Sequence, residues 1–171
     1  NESYYGKVVG IGIEAVQDSS GYIKVIDVYA DSPAVSAGIK KGDLIVKIND
    51  TDVNANSYSQ AIEQLSGEEG DKVTVVIRRD TEDITMEITL RSVEVPTAVG
   101  KMLDGNIGFI QIKKFDEATP TQFNKVLDSL ISQGAGAIIF DVRNNPGGTI
   151  TSVTKILDRL LPEGDIVSAT Y

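Results

Sequence analysis

The stretch Asn144–Gly148, which reads NNPGG, places a proline and two glycines between two apolar segments. The preceding residues Ala137–Val142 are almost continuously apolar, which predicts a strand covered on both faces in a mixed or parallel sheet. Apolar residues then recur at helical spacing from Ile150 to Leu161, so NNPGG is predicted to join a strand to a helix. Free backbone N–H groups at a helix N-terminus suit an anion or a developing oxyanion. A plain strand-to-helix turn remains the alternative, and the absence of Gly-Lys-Ser/Thr excludes a phosphate-binding P-loop.

A second pair of glycines stands in the motif GIGI, Gly10–Ile13, directly before a strand. Glycine lets successive backbone N–H groups point into one concavity, where they can bind a carboxylate. The alternative is a glycine-marked bulge within a β-strand.

The residue types that are missing exclude several kinds of site. The 171 residues contain no Cys and no His, which excludes a Cys nucleophile, a Ser-His-Asp triad and a zinc site built on Cys or His within this sequence. The formal net charge of -9 argues against a nucleic-acid partner, because phosphate binding requires a basic patch. No apolar run approaches the ~20 residues of a membrane span.

The first half of the chain, from Lys7 to about Arg91, has the pattern of a strand-rich domain with one clear helix. Ser57 is the predicted cap of that helix, Gln60 its capping-box partner and Gly67 its stop.

The second half has the alternating pattern of an α/β unit. Two strands are predicted around a turn at Asp104–Gly105, followed by a helix that Thr119 caps, with Gln122 three residues later. Gly134 is predicted to close this helix. The strand and helix around NNPGG follow, and a last strand is predicted over Asp165–Tyr171.

Residues Asp31–Asp50, DSPAVSAGIKKGDLIVKIND, carry a specific signature. They strongly resemble the Ser-Pro-Ala…Ala-Gly-Ile…Gly-Asp…Ile…Asn pattern of bacterial PDZ domains. The resemblance implies that GIGI is a carboxylate-binding loop and that the following strand and the helix over 58–65 are the walls of a peptide groove. In such a groove a peptide adds as an extra strand, and its last side chain enters an apolar pocket. The expected peptide-binding residues are Ile11, Gly12, Ile13, Ala61 and Leu65, with the alternative that Ala61 and Leu65 face only the core.

Three further segments follow this signature, namely Ile107–Phe115, Asp141–Gly148 and Leu160–Val167. They resemble the start of the peptidase domain of the C-terminal processing peptidases, or tail-specific proteases, in which a PDZ domain precedes a Ser/Lys catalytic domain. The fold class expected is therefore α+β / α/β. A β-rich PDZ domain over residues 5–91 would precede an incomplete, crotonase-like α/β peptidase domain over residues 92–171, truncated before the catalytic Ser and Lys.

The resemblance also implies a mechanism for the parent enzyme. Gly147 or Gly148 is expected to donate a backbone N–H to the oxyanion hole, while a Lys of lowered pKa deprotonates a Ser nucleophile without metal or cofactor. Asp141, Arg143 and Asn144 are expected to support the loop. No Ser of this sequence lies in a matching motif, so Ser152 and Ser168 are assigned to a helix surface and a strand. The chain alone is expected to be inactive as a peptidase.

The parent is thus expected to be a serine endopeptidase whose partners are polypeptide substrates with free C-termini. It would be bacterial, extracytoplasmic and membrane-anchored, with the present piece soluble. One alternative is a non-catalytic PDZ peptide-binding module on an α/β scaffold. Another is a non-peptidase relative in which the same loop stabilises an enolate or another anion.

Overall fold

The computed structural model describes residues 7–162 and 164, which form two compact units that divide between Val95 and Pro96. The boundary predicted after residue 91 falls at a strand of the first unit, Arg91–Glu94, which pairs antiparallel with Lys7–Gly10.

The first unit consists of eight strands and two short helices. In chain order they are β1 (Lys7–Gly10), β2 (Ile13–Gln17), β3 (Ile23–Val28), α1 (Pro33–Ala37), β4 (Leu44–Ile48), β5 (Thr51–Asp52), α2 (Tyr58–Glu63), β6 (Lys72–Arg79), β7 (Glu82–Thr89) and β8 (Arg91–Glu94). The main sheet has the order β2-β3-β4-β6-β7, with β5 beside β4, and β1 pairs with β8 separately. Because β2 lies at the edge, one side of its backbone has no strand partner in the part of the chain that the structure describes.

The PDZ-like signature forms α1 and the turns around it. Ser32 caps α1, since its Oγ accepts a hydrogen bond from the Val35 N–H at 3.3 Å, and Pro33 occupies the first turn. Gly38 ends the helix in the left-handed conformation, with φ of 86°. Ile39 and Ile45 are buried in the core. These residues therefore have the structural role that their pattern indicates.

One buried carboxylate joins three parts of the first unit. The side chain of Asp43 is only 3% exposed and forms a two-point ion pair with Arg79, at 2.8 Å and 2.7 Å. The Lys40 N–H donates to the same carboxylate, and Arg79 also donates to the Gly38 carbonyl. Burial raises the pKa of Asp43, but the bonds from Arg79 and Lys40 outweigh it and hold the pKa below its usual range. Arg79 thus joins β6 to the start of β4 and the end of α1.

The start of α2 differs from the prediction. Ser57 makes no side-chain bond to the helix; its Oγ accepts from the Asn54 N–H at 2.9 Å and donates to the Asp52 carbonyl at 2.8 Å. The prediction that Ser57 and Gln60 form a capping box is therefore wrong. Ser57 has φ of -98° and ψ of -2°, whereas an N-cap side chain reaches its N–H groups from an extended backbone.

The second unit is a three-stranded sheet with two helices, β9 (Ala98–Leu103), β10 (Ile107–Ile112), α3 (Thr119–Ser132), β11 (Ala137–Asp141) and α4 (Ile150–Leu160). The sheet is mixed, as predicted, because β10 pairs antiparallel with β9 and parallel with β11. Its core includes Ile110, Phe123, Leu127, Leu130 and Ile156. The α+β fold class is confirmed. Within residues 7–162 and 164, no helix has both the length and the apolar character required to cross a membrane.

The start of α3 is secured by partners other than the predicted ones. The Asp116 carboxylate accepts from the Thr119 N–H at 3.1 Å, and the Thr119 hydroxyl accepts from the Asp116 N–H at 3.0 Å. Gln122 is buried, and its side-chain oxygen accepts from the Thr97 N–H at 2.7 Å, just before β9. The prediction that Thr119 and Gln122 form the capping box is therefore wrong, and Asp116 takes the capping role. Gly134 closes the helix as predicted, in the left-handed conformation.

The apolar strand before NNPGG is not covered on both faces in the part of the chain that the structure describes. Ile139, Phe140 and Val142 are 41–52% exposed. The physical reason is position: β11 is an edge strand, and α3 packs mainly on β9 and β10. Phe140 still reaches the Phe123 ring, with centroids 5.9 Å apart.

Substituting Arg79 with Met tests the importance of the buried ion pair. We expect Arg79→Met to lower the free energy of unfolding by about 2–3 kcal/mol, because Asp43 keeps only part of its hydrogen bonding in a buried position. A carboxyl whose pKa is depressed by folding stabilises the protein above its unfolded pKa of about 3.9 and loses this contribution as the pH falls further. The difference in the free energy of unfolding between Arg79→Met and the unsubstituted protein, measured by urea denaturation, should therefore narrow below pH 4.

Arg78→Met is the matched control, because Arg78 forms an equally short ion pair with Asp83 at the surface, where the two side chains are 38% and 46% exposed. We expect Arg78→Met to lower the free energy of unfolding much less than Arg79→Met does, because water screens an exposed ion pair. Equal losses for the two variants would contradict the special role of Arg79.

Candidate functional site

The GIGI loop separates β1 from β2, and β2 begins at its last residue, Ile13. Ile11 is 1% exposed, and its N–H donates to the Leu65 carbonyl at 3.1 Å. Gly12 has φ of 82°, and a Cβ built there would overlap Ser32, so the position requires glycine. Its carbonyl accepts from the Tyr29 N–H, whereas its own N–H has no partner among the described residues. Gly12 therefore presents a free donor at the start of the edge strand β2.

A cleft of about 440 Å³ lies between β2 and α2, next to this donor. Four of the expected peptide-binding residues line it, namely Ile11, Gly12, Ile13 and Leu65. Ala61 does not; it is fully buried in the core, which is the alternative left open for it. Ile62 lines the cleft in its place. An apolar stripe along a helix indicates which side is buried, but not which flank of the stripe borders a groove.

The cleft is mainly apolar, and Glu14 is the one acidic side chain among the described residues that line it. Its lining includes Glu14 and Tyr29 and, within the described residues, contains no Lys or Arg. Burial raises the pKa of Tyr29, and the negative charges of Glu14 and Asp27 raise it further. A carboxylate entering this cleft would thus be bound by backbone N–H groups and not by a cationic side chain.

In the second unit, the NNPGG loop is held against the segment that follows β10. The Phe115 N–H donates to the Gly147 carbonyl at 2.9 Å, and the Thr149 N–H donates to the Phe115 carbonyl at 2.8 Å. Between these bonds Gly148 has φ of 147°, and a Cβ there would overlap the Phe115 carbonyl oxygen. Only glycine allows the two backbones to approach this closely.

The two glycines expected as oxyanion donors differ in their hydrogen bonding. The Gly147 N–H is occupied, since it donates to the side-chain oxygen of Asn145 at 2.7 Å. The amide nitrogen of Asn145 in turn donates to the Ile112 carbonyl at 2.9 Å, which ties the loop to the end of β10. The Gly148 N–H has no partner in residues 7–162. Asn145 was not among the residues predicted to support the loop, although an Asn whose side chain accepts from the N–H two residues later is typical of an Asx turn.

A cavity of about 370 Å³ opens beside the free Gly148 N–H, lined by residues 114–117 and 146–149. Thr149 also caps α4, because its hydroxyl oxygen accepts from the Ser152 N–H at 3.2 Å. The loop thus lies at the N-terminus of an 11-residue helix, where the helix dipole favours negative charge. This arrangement can stabilise an oxyanion at the cavity wall.

An ion pair closes the N-terminal side of the loop. The Asp141 carboxylate accepts from the Arg143 side chain at 2.9 Å and 2.8 Å, and from the Arg143 N–H at 3.0 Å. These bonds lower the pKa of Asp141 to about 2. Asn144 follows in the left-handed conformation, with φ of 62°.

Ser152 is not on the helix surface, so this assignment is wrong. It is 2% exposed, and its Oγ has no hydrogen-bond partner in the described part of the chain. Ser152 and Ile156 are one helical turn apart and are the two buried residues of α4. Ser168, and the strand predicted over 165–171, lie outside the described residues.

Replacing Arg143 tests the ion pair at the loop. In Arg143→Met we expect the pKa of Asp141 to rise from about 2 towards its ordinary value near 3.9, since the bonds that favour the carboxylate are lost. In the unsubstituted protein, the stabilisation of the fold by this ion pair is present above about pH 4 and disappears as the pH falls towards 2. The measurement is an NMR titration of the side-chain carboxyl carbons.

Arg159→Met is the control, because Arg159 pairs with Asp128, which joins α4 to α3. It should leave the Asp141 titration unchanged. An unaltered Asp141 midpoint in Arg143→Met would refute the assignment.

Comparison with known proteins gives matches along the whole chain. Residues 9–90 match the model of the PDZ domain, and residues 106–171 match that of peptidase family S41. The sequence is 32% identical to the carboxy-terminal processing protease CtpA of Bacillus subtilis (strain 168), over 100% of this chain and 37% of that protein. A probable CtpA-like serine protease of Staphylococcus epidermidis is 31% identical over 98% of this chain and 34% of its own length. The chain thus spans about a third of the length of these relatives.

The fold has a solved counterpart in a photosystem II D1 C-terminal processing protease. The TM-score is 0.60 at 22% sequence identity, and the match covers 94% of this chain and 46% of that one. The two family models occur in the order PDZ domain, then peptidase domain, in a chain that aligns throughout with these proteases. The chain thus combines a match to a PDZ domain with a match to peptidase family S41, and it is similar along its length to carboxy-terminal processing proteases.

Proposed function

We propose that this chain is part of a serine endopeptidase that processes polypeptides near their C-termini. The first unit binds the free C-terminus of the substrate, and the second unit supplies an oxyanion donor. The observation that carries the proposal is the Gly148 N–H, which has no partner in residues 7–162 although its backbone is held firmly against Phe115. A donor fixed before the reaction stabilises developing charge without reorganisation.

In this proposal Gly148, and not Gly147, donates to the oxyanion. The Gly147 N–H would have to leave the Asn145 side chain first, which costs a short hydrogen bond at the moment of reaction. Gly147 and Asn145 instead stabilise the turn that presents Gly148. The cavity beside Gly148 is where the scissile carbonyl would lie.

A Ser nucleophile and a Lys base complete the proposed mechanism. In the proposal, both belong to a part of the full-length enzyme outside this chain, which spans about a third of the length of its relatives. Ser Oγ attacks the carbonyl carbon and its proton moves to the neutral Lys amine, while the carbonyl oxygen becomes the oxyanion at Gly148. When the tetrahedral intermediate collapses, the bond between the carbonyl carbon and the amide nitrogen breaks, and the Lys ammonium gives its proton to the leaving amine. Water then hydrolyses the acyl-enzyme and frees the Ser. These steps require no cofactor.

The 171-residue chain by itself has no peptidase activity in this proposal. Ser152 is buried and so is not available to a substrate, and the Ser nucleophile and Lys base of the proposed mechanism are not assigned to residues of this chain. The bacterial relatives support a bacterial source. The parent is proposed to be extracytoplasmic and membrane-anchored, on the family resemblance, and the acidic net charge of -9 supports a polypeptide and not a nucleic-acid partner.

Peptide capture rests on three features of the first unit. The edge strand β2 has no strand partner on one side within the described residues, Gly12 offers an N–H that has no partner there, and the apolar cleft between β2 and α2 offers room for a side chain. A peptide that adds as a strand uses all three.

Substitutions at the two glycines test the oxyanion donor in the full-length enzyme. We expect Gly148→Ala to lower kcat by about 100-fold or more, the scale of one lost donor, with little change in KM. Gly147→Ala should lower kcat far less, because its Cβ would meet nothing within 4 Å and the substitution adds backbone strain at φ of 98° without removing the Gly148 donor. The 171-residue chain serves as the blank and should cleave nothing.

A spectroscopic measurement separates this role from a folding defect. In the unsubstituted full-length enzyme, a peptide aldehyde that forms a tetrahedral adduct should shift the amide proton resonance of Gly148 more than that of Gly147. Near wild-type kcat in a folded Gly148→Ala, or a larger shift at Gly147, would refute the assignment. In that case NNPGG is only a connection between a strand and a helix.

Calorimetry with two peptides tests the first unit. A peptide with a free, apolar C-terminus should bind the 171-residue chain, whereas its C-terminally amidated twin should bind at least about ten-fold more weakly, because the amide lacks the charge that the Gly12 N–H favours. Equal affinity would rule out carboxylate capture. Normal peptide binding combined with a full-length protein that cleaves nothing would favour the alternative, a non-catalytic PDZ module.

A further inference from the structure

The segment Lys114–Asp116, against which the NNPGG loop is held, lies outside the regular sheet. It follows the end of β10 and precedes the start of α3. In the part of the chain that the structure describes, one bridge between Phe115 and Gly148 is the only strand-like pairing of this segment. Both the N–H and the carbonyl of Phe115 are bonded to the loop. The segment can therefore fix the loop only if another part of the molecule fixes the segment.

Thr119, the first residue of α3, binds the segment on both sides of Phe115. Its hydroxyl oxygen accepts from the Asp116 N–H at 3.0 Å. The hydroxyl hydrogen has two acceptors within reach, the Lys114 carbonyl at 3.0 Å and the Asp116 carboxylate at 2.9 Å. One side chain thus lies within hydrogen-bond distance of the peptide groups before and after Phe115.

The surroundings of Thr119 make this connection rigid. Thr119 is fully buried, so water does not compete for its hydrogen bonds. The helix that carries it is anchored in the core of the second unit by Phe123 and Leu127. Asp116 in turn accepts from the N–H groups of Ala118 and Thr119, at 3.0 Å and 3.1 Å. The segment is therefore joined to α3 in both directions.

We propose that Thr119 is a positioning residue for the oxyanion donor Gly148. It is buried behind the segment and acts through Phe115, so it has no contact with the substrate. Without its hydroxyl, the segment and the loop held against it lose part of their support, and a donor displaced by about 1 Å can cost as much as 100-fold in rate. This inference rests on the proposed function and adds a residue that the donor depends on.

Hydrogen exchange in the 171-residue chain tests the positioning without any catalysis. Thr119→Val keeps the shape of the side chain but lacks the hydroxyl, so we expect the amide hydrogens of Phe115 and Thr149, which join the segment to the loop, to exchange about ten-fold faster. Thr119→Ser keeps the hydroxyl and should exchange as slowly as the unsubstituted chain. The amides of the β10 ladder are the internal reference, because they report a general loss of stability.

Thr97→Val is the matched control. Thr97 is also fully buried, and its hydroxyl bonds to the side chain of Gln122 in α3 at 3.1 Å, not to residues 114–116. It should leave the exchange of the Phe115 and Thr149 amides unchanged relative to the β10 ladder.

Kinetics of the full-length enzyme connect the positioning to the reaction. We expect Thr119→Val to lower kcat about ten-fold with little change in KM, because a displaced donor weakens the binding of the transition state and not of the substrate. Thr119→Ser and Thr97→Val should keep near wild-type kcat. If Thr119→Val does not fold, Thr119→Cys replaces it in both measurements and should give the same direction of change, because a thiol is a weaker donor and acceptor than a hydroxyl.

Unchanged exchange in Thr119→Val, or exchange that rises only as much as in the β10 ladder, would overturn the inference. An equal loss of kcat in Thr97→Val would do the same. Gly148→Ala separates this inference from the proposed function. If Gly148→Ala loses kcat and a folded Thr119→Val does not, the donor stands and its positioning by Thr119 is wrong. If both keep near wild-type kcat, the proposed donor is wrong as well.

Discussion

The contact between the backbones of Phe115 and Gly148 is the constraint on which the candidate catalytic part of this chain depends. Hydrogen bonds on both sides of Gly148 hold the loop at a distance that excludes any Cβ. Because the loop cannot move outward, the strand before it and the helix after it have a defined connection. A donor that must stabilise charge on the time scale of a reaction needs this kind of fixed backbone. The glycine is thus a requirement of close packing as well as of chemistry.

The first unit has the same arrangement at its candidate peptide site. Gly12 is also a glycine in a left-handed conformation with a neighbour where its Cβ would be, and it also presents an N–H without a partner in the described residues. In both loops, a residue beside the glycine is fully engaged: Ile11 donates to Leu65, and Gly147 donates to Asn145. One engaged N–H next to a free one gives each loop a rigid support and a single available donor.

Much of this arrangement can be predicted from local patterns. The strands, the helices around NNPGG and the mixed sheet follow from the period of the apolar residues, and Gly12 and Gly148 are recognisable because few other residues suit such loops. The choice between Gly147 and Gly148 was beyond sequence reasoning, since it depends on the side chain of Asn145 and on Phe115, which is distant in sequence. The prediction that Ala61 lines the cleft, where the structure has Ile62, differs for a similar reason, because the orientation of α2 is set by packing. The predictions of Ser57 and Thr119 as helix caps are wrong because the backbone N–H groups of Asn54 and Asp116 donate to the same hydroxyl groups.

The residue that follows Asn145 has a consequence for the lifetime of the loop. Asparagine side chains deamidate when the next backbone nitrogen attacks the side-chain amide, and the product aspartate would place an oxygen against the Ile112 carbonyl where the amide nitrogen now donates. The next residue here is Pro146, whose nitrogen carries no hydrogen and is poorly suited to that attack. Pro146 therefore protects the hydrogen bonds of Asn145 from deamidation as well as shaping the turn. The order of these two residues therefore slows the loss of the Asn145 side chain by deamidation.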